Sequence, residues 1–219
     1  LLLFKLGIKK QHKFSKPVIV VGNISVGGTG KTPFVIYLVE LLKKQGLKPA
    51  VVSRGYGAKQ DDSWPFPRLI TADSPQILAG DEPKLLAMRT DCPVVIAPDR
   101  VAAVQYAINN CAADIIISDD GLQHYQMARD LEIVLLDAQR LLGNGWLLPV
   151  GPLREGKQRL KTVDLVIKNQ GFKDNSEQDY ALTAGGTYGL IEAGRTMPSG
   201  VKVHLVSGIG NPNRFESTV

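Results

Sequence analysis

The sequence predicts an α/β fold, a doubly wound and mostly parallel sheet covered by helices on both faces. Three observations carry this expectation. A run of four β-branched residues, Val18 to Val21, has the continuous apolar character of a strand buried on both faces, and it leads straight into a glycine-rich loop. A second such run, Ile115 to Ile117, ends in the paired carboxylates Asp119 and Asp120. Strand-like and helix-like patterns then alternate over residues 17–168, as βαβ units require.

The glycine-rich loop is the centre of the chain. Ser25-Val26-Gly27-Gly28-Thr29-Gly30-Lys31-Thr32 follows the strand and opens a helix, with Pro33 in the first helical turn, where its missing N–H costs nothing. Gly27, Gly28 and Gly30 let backbone N–H groups turn toward an anion, and the helix start adds its own N–H groups and the positive end of its dipole. In such a cradle Lys31 reaches the β/γ-phosphates of a nucleotide and the Thr32 hydroxyl ligates Mg²⁺, which makes the fold P-loop NTPase-like. One position departs from the G-x-x-x-x-G-K-[ST] pattern, since Ser25 stands where the first glycine belongs, and Gly22 lies three residues too early to replace it. The plainer alternative is a glycine turn ahead of an ordinary helix.

A chain of 219 residues can bury one full core and part of a second. No uninterrupted apolar stretch is long enough to span a bilayer. Cys92 and Cys111 are too few and too far apart for a metal knuckle or a disulfide framework and read as reduced core thiols. The net charge of +5 is unevenly spread: no acidic residue precedes Glu40, while Lys5, Lys9, Lys10, Lys13, Lys16 and Lys31 do, so the remainder is close to neutral. A protein-wide basic surface for nucleic acid is not indicated. The chain begins with Leu1 rather than Met and is expected to be part of a longer product.

Residues 1–16 mix an apolar cluster with five lysines and form a basic, apolar N-terminal segment. It can lie in lipid headgroups with its lysines on anionic lipid, or pack on the core as a terminal helix with a solvated lysine face; His12 reads as a surface residue. The core is expected over 17–170. Phe34–Gln45 carries a helical apolar face stopped by Gly46, and Pro49–Val52 is the next strand, running into Ser53-Arg54-Gly55-Tyr56-Gly57, where Arg54 can meet a phosphate or simply be exposed. Residues 58–75 lack sustained periodicity apart from an Arg68–Thr71 strand and read as a surface flap.

Gly80-Asp81-Glu82-Pro83 opens a helix through Arg89, with Asp81 either its N-cap or a functional carboxylate beside Glu82. Pro93–Ala97 is a strand and Asp99–Asn110 a helix capped by Asp99. The strand ending at Asp119 and Asp120 places them at the carboxyl edge of the sheet, where one can hold Mg²⁺ and the other orient or deprotonate an attacking hydroxyl. Gln123 and His124 follow, His124 being placed either to orient Asp120 or contact a nucleotide, or to serve as a hydrogen-bonded structural residue. Leu131–Leu136 is a strand ending at Asp137; a glycine- and proline-rich loop with Trp146 leads to Leu153-Arg154-Glu155, a basic helix at 156–161 and a strand at 163–168. Residues 171–200 read as a linker or β-hairpin, and 201–219 as the start of a second, truncated α/β domain.

Gly-Asn-Ile-Ser-Val-Gly-Gly-Thr-Gly-Lys-Thr-Pro at 22–33, Ser-Arg-Gly-Tyr-Gly at 53–57, Gly-Asp-Glu-Pro at 80–83, Asp-Asp-Gly-Leu-Gln-His at 119–124, Leu-Leu-Pro-Val-Gly-Pro-Leu-Arg-Glu at 147–155 and Gly-Ile-Gly-Asn-Pro at 208–212 together resemble the tetraacyldisaccharide 4′-kinase family of lipid A biosynthesis. The resemblance implies transfer of the ATP γ-phosphate to the 4′-hydroxyl of tetraacyldisaccharide 1-phosphate, with peripheral contact to the anionic cytoplasmic face of a Gram-negative inner membrane. It implies ATP–Mg²⁺ binding at Lys31 and Thr32, a metal and catalytic role for Asp119 and Asp120, and a further catalytic carboxylate at Asp81. Arg154 and Glu155 are implied as substrate or active-site contacts, without a finer role. A catalytic histidine that the family carries in a second domain has no counterpart in this sequence.

The rival reading is a P-loop ATPase that acts as a membrane-associated switch of the partitioning or division-site kind. Those proteins place a lysine ahead of the glycine pair, where this chain has Val26. A GTP-dependent metallochaperone is disfavoured, because Ile167-Lys168-Asn169-Gln170 is not a guanine-reading motif.

Overall fold

The computed structural model describes Phe4, residues 9–169 and the strand pair Asp179–Tyr180. The expected linker or hairpin over 171–200 is therefore represented by Asp179–Tyr180 alone, and the expected second domain at 201–219 lies outside the described residues. Among the described residues the strands are β1 (Val18–Gly22), β2 (Pro49–Ser53), β3 (Arg68–Ile70), β4 (Val94–Ile96), β5 (Ile115–Asp119), β6 (Leu131–Asp137), β7 (Leu165–Asn169) and β8 (Asp179–Tyr180). The α-helices are α1 (Lys31–Lys44), α2 (Gln76–Ala79), α3 (Asp81–Thr90) and α4 (Arg100–Asn110).

The sheet order is β3-β4-β2-β5-β1-β6-β7-β8. Every pairing is parallel except the edge pair of β3 with β4. The chain moves outward from β1, returns to insert β5 beside it, and then continues on the other side with β6. This reversal opens a crevice at the carboxyl ends of β5, β1 and β6. The β-branched residues of β1, β2 and β5 feed two apolar clusters, one on each face. Val18, Val20, Val52 and Ile116 join Ala103, Val104 and Ala107 of α4. Val21, Val51 and Ile117 join Val35, Val39 and Leu86 of α1 and α3. Each fully buried Val, Ile or Leu contributes about 1.5–3 kcal/mol, so the alternation of faces along these strands sets their register.

Several local elements differ from the sequence expectation. The helix expected from Phe34 begins at Lys31, capped by Gly30 in a left-handed conformation (φ 83°) with no side-chain cap. Asp81 is not the N-cap of α3: that position is Gly80 (φ 81°), and Asp81 is the first helical residue. Gly80 is required there because a Cβ would lie 2.5 Å from the carbonyl oxygen of Tyr56. The short α2 before it carries no sequence period and was not expected. The basic helix at 156–161 is a 3₁₀ turn, Lys157–Lys161, which turns Arg159 into the protein. Asp99 does cap α4, accepting from the N–H groups of Val101 (2.8 Å) and Ala102 (3.4 Å).

Residues 58–75 are anchored by a buried cation rather than lying loosely on the surface. Arg68 is fully buried. Its guanidinium donates to the carbonyl oxygens of Lys59 (2.7 Å), Leu78 (3.1 Å), Asp61 (3.3 Å) and Trp64. It also lies over the Phe66 and Trp64 rings, at 4.1 and 5.6 Å from their centroids. Replacing Arg68 by Met removes the donors and strands these carbonyls, so Arg68→Met is expected to cost about 2–4 kcal/mol. Urea denaturation measures the loss, and trypsin cleavage at Lys59 should accelerate in the same variant.

Candidate active site

The phosphate loop leaves β1 at Gly22, where a Cβ would stand 2.7 Å from that of Leu122. Gly22 is therefore a close-approach residue that lets the loop after β5 pack against β1. Gly27 (φ 106°) and Gly30 (φ 83°) take left-handed conformations that turn the loop back toward α1. The loop is stapled from inside: buried Asn23 donates its Nδ2 to Thr29 Oγ1 at 3.2 Å, and Asn169 at the end of β7 donates its Nδ2 to the Thr29 carbonyl at 3.2 Å. Ser25 forms an antiparallel bridge with Leu153. On either side Val26 N–H donates to the Pro152 carbonyl (2.8 Å) and Arg154 N–H to the Ile24 carbonyl (2.7 Å). Paired as a strand, position 25 has no need of glycine, which accounts for the departure from the usual pattern. The loop's outer residues Val26, Gly27 and Gly28 remain exposed, and α1 begins uncapped, so its first N–H groups are open to an anion.

Opposite this loop stand the strand-end carboxylates. Asp119 is buried and its Oδ1 has no hydrogen-bond partner. Burial, and then the nearby Glu82 carboxylate, push its pKa up to about 7, against the pull of Lys31 and Arg100. Asp120 takes a left-handed conformation (φ 49°). Arg154 NH1 donates to both its oxygens, at 2.9 and 3.2 Å, and Lys31 Nζ lies 3.6 Å from Oδ1. Burial raises the Asp120 carboxyl, but Lys31 and Arg154 outweigh it and hold it below its ordinary value. Two adjacent aspartates thus shift in opposite directions, because burial and a second carboxylate outweigh the cations at Asp119 while the cations outweigh burial at Asp120.

Arg100, at the start of α4, was not anticipated. It is buried and donates from NH2 to the Asp119 carbonyl at 2.9 Å, while its Nε and NH1 have no partner. Burial lowers its pKa to about 10 and Asp119 and Asp120 oppose the fall, so it stays charged at neutral pH. An arginine in a first helical turn, where the dipole favours an acid, was the one available sequence signal.

The remaining residues divide in two groups. Exposed Arg54, at the end of β2, reaches Arg100 and His124 electrostatically. Burial, then the charges of Arg100 and Arg54, push His124 down to about 4, which leaves it neutral at pH 7. Asp81 accepts from Gln76 Nε2 at 2.7 Å and has no cationic partner among the described residues. Glu155, by contrast, turns inward. It accepts from Gln123 Nε2 (2.7 Å) and the Tyr125 hydroxyl, and pairs with Arg159 at 3.4 Å. Gln123 also donates to the Asn23 carbonyl at 3.2 Å, so this pair braces the phosphate loop.

Asp119 and Thr32 provide a carboxylate and a hydroxyl, the hard oxygen donors that suit Mg²⁺, and the unpartnered Asp119 Oδ1 fits such a cation. No group of three or more His, Cys, Asp or Glu forms a complete metal cage among the described residues.

Because the native pKa of Asp119 lies above its unfolded value of 3.8, ionising it opposes folding, and stability falls as pH rises from about 4 through about 7. Asp119→Asn should therefore gain thermal stability over the unsubstituted protein progressively across that window and hold the gain above it. Melting without nucleotide or divalent cation tests this, and a difference independent of pH would contradict it.

The model of the tetraacyldisaccharide-1-P 4′-kinase family matches residues 1–219. The chain is 50% identical over 214 residues to the tetraacyldisaccharide 4′-kinase of Haemophilus influenzae, covering 97% of this chain and 64% of that one. It is 48% identical over 221 residues to the enzyme of the same name from Shewanella pealeana, covering 100% of this chain and 66% of that one. The chain thus spans slightly less than two thirds of these relatives' length. The crystal structure of LpxK from Aquifex aeolicus, an "apo" form in complex with ATP, superposes with a TM-score of 0.69 at 33% identity, covering 81% of this chain and 57% of that one. A family match over the whole chain, resting on a fold shared with an ATP-bound relative, places this chain in the tetraacyldisaccharide-1-P 4′-kinase family.

Proposed function

We propose that this chain carries the nucleotide site of an ATP-dependent kinase that phosphorylates the 4′-hydroxyl of tetraacyldisaccharide 1-phosphate, giving lipid IVA, at the cytoplasmic face of the bacterial inner membrane. The observation that carries the reading is the meeting of Lys31 with Asp120, 3.6 Å apart, across the crevice between the phosphate loop and the end of β5. The relatives' names and the ATP in the A. aeolicus structure support the nucleotide and the acceptor class. No helix among the described residues is long and apolar enough to cross a membrane.

Phosphoryl transfer asks mainly for positioning and for neutralisation of charge. The loop N–H groups and the open start of α1 cradle the β/γ-phosphates, and Lys31 and Arg154 supply mobile positive charge. Without nucleotide both cations rest on Asp120; arriving phosphates compete for them, which leaves Asp120 to orient the reacting groups. Asp81, with no cation to satisfy, is the carboxylate suited to accept the hydroxyl proton. The sugar oxygen forms a bond to the γ-phosphorus as the bond to the β-phosphate oxygen breaks, and that electron pair leaves with ADP. Asp119 and Thr32 would hold Mg²⁺, which supplies Lewis-acid stabilisation of the phosphate oxygens when bound. Arg100 fixes the main chain between the two aspartates.

The test uses ATP labelled at the γ-phosphate with tetraacyldisaccharide 1-phosphate in detergent and the full-length protein. Label should enter the lipid, and Asp120→Ala should slow its entry on the order of a hundredfold or more. Release of label only as free phosphate, indifferent to lipid, would overturn the reading in favour of an ATPase switch.

A further inference from the structure

We propose that the loop between β6 and β7 is a docking element for an anionic lipid surface, with Trp146, Leu147, Leu148 and Val150 as its inserted side chains. Its use beside the active site rests on the kinase reading above; its geometry does not.

The loop's root and tip have opposite characters. Leu153 is fully buried, whereas Trp146 is 65% and Val150 71% exposed, with Leu147 and Leu148 half exposed beside them. Isolated exposed apolar residues are ordinary, but four within five consecutive positions of one loop form a contiguous patch. The patch is held rigidly. Leu148 N–H donates to the Leu153 carbonyl (2.8 Å), Leu153 N–H to the Trp146 carbonyl (3.1 Å) and Gly151 N–H to the Leu147 carbonyl (3.0 Å). The Asn144 side chain accepts from Trp146 N–H and donates to the Val150 carbonyl, both at 3.1 Å. These bonds hold the loop backbone in the shape that leaves the four apolar side chains exposed.

Charge selects the partner. From Ala138 to Arg154 the chain has no acidic residue, and exposed Lys157 and Lys161 follow on the 3₁₀ turn. An apolar tip led by tryptophan and flanked by cations suits the headgroup region of anionic lipid, where the indole sits at the interface and lysines meet lipid phosphates. Phe4 packs 6.2 Å from the Tyr125 ring, and the Tyr125 hydroxyl donates to Glu155 at the foot of the loop. The loop's root is in turn bonded to the phosphate loop through Val26–Pro152 and Ile24–Arg154. A surface that receives the tip therefore lies within reach of the residues that hold the nucleotide, which suits an acceptor whose acyl chains remain in the bilayer.

The test uses full-length protein carrying Val150→Cys labelled with an environment-sensitive fluorophore. Lys44→Cys, exposed at the C-terminal end of α1, serves as the control. Cys92 and Cys111 are half-buried with thiols pushed up by burial, so they label slowly, and the unsubstituted protein gives their background. Vesicles of phosphatidylethanolamine with phosphatidylglycerol should shift the Val150 probe to the blue and raise its emission at least about twofold, with weakening at high salt. Phosphatidylcholine vesicles should do much less, and the Lys44 probe should not respond. The combined variant Trp146→Ser, Leu147→Ser, Val150→Ser should lose sedimentation with the anionic vesicles while it still binds nucleotide. A probe already shielded before vesicles are added would mean that the rest of the full-length protein covers the loop, and would overturn the proposal. So would a response to nucleotide alone, or none at all. Vesicle response without label transfer to lipid would sink the kinase reading and leave the docking loop standing; transfer with a silent probe would do the reverse.

Discussion

Asp120 lies between Lys31 and Arg154, and the carboxyl edge of the sheet is organised to keep that charge triplet together. Lys31 belongs to the phosphate loop, Asp120 to the end of β5, and Arg154 to the segment that leads into β7. None of these elements would hold its charged side chain in place alone. Their side chains are about one third exposed or less, so the ion pairs contribute little to global stability. Their value is positional: they hold cations where phosphate is to arrive, with a carboxylate that keeps them compensated until it does.

Backbone bonds give the triplet its rigidity. The Ser25–Leu153 bridge and its two flanking hydrogen bonds tie the phosphate loop to the residue before Arg154. Gln123 and Glu155 close a second tie from the loop after β5 to the same segment. Asn169 closes a third from the end of β7 through Thr29. Asn169 therefore links the phosphate loop to the point where the chain leaves β7 for β8. The loop's conformation is set by three strand ends together rather than by its glycines alone.

Buried cations are a second theme of this chain. Arg68 shapes the excursion between β2 and α2 through carbonyl oxygens, and Arg100 sits beneath Asp119 with two donors unpartnered. Arg129 and Arg159 share Glu132 and flank the Tyr125 ring, at 5.3 and 5.8 Å from its centroid. Arg68 organises irregular backbone through carbonyl oxygens, whereas Arg159 ties side chains, those of Glu132, Glu155 and Thr162, to one another.

The fold class, the phosphate loop, the carboxylate-bearing strand and the Asp99 cap were legible in the sequence because each rests on local chemistry. β-branched runs favour strands whatever surrounds them, glycines permit left-handed turns, and a side-chain cap spans only a few residues. Asp81 shows the limit of such reasoning: Asp followed by Glu and Pro has every mark of an N-cap, yet the nearby Tyr56 carbonyl demands Gly80 in that position. What the tertiary structure alone decided is pairing across long separations. The strand-like role of Ser25, the close approach that requires Gly22, the inward turn of Glu155 and the opposite pKa shifts of Asp119 and Asp120 all depend on residues distant in the chain. Local propensity determines which element a segment becomes; only packing determines what that element faces, and burial and electrostatics act on what is faced.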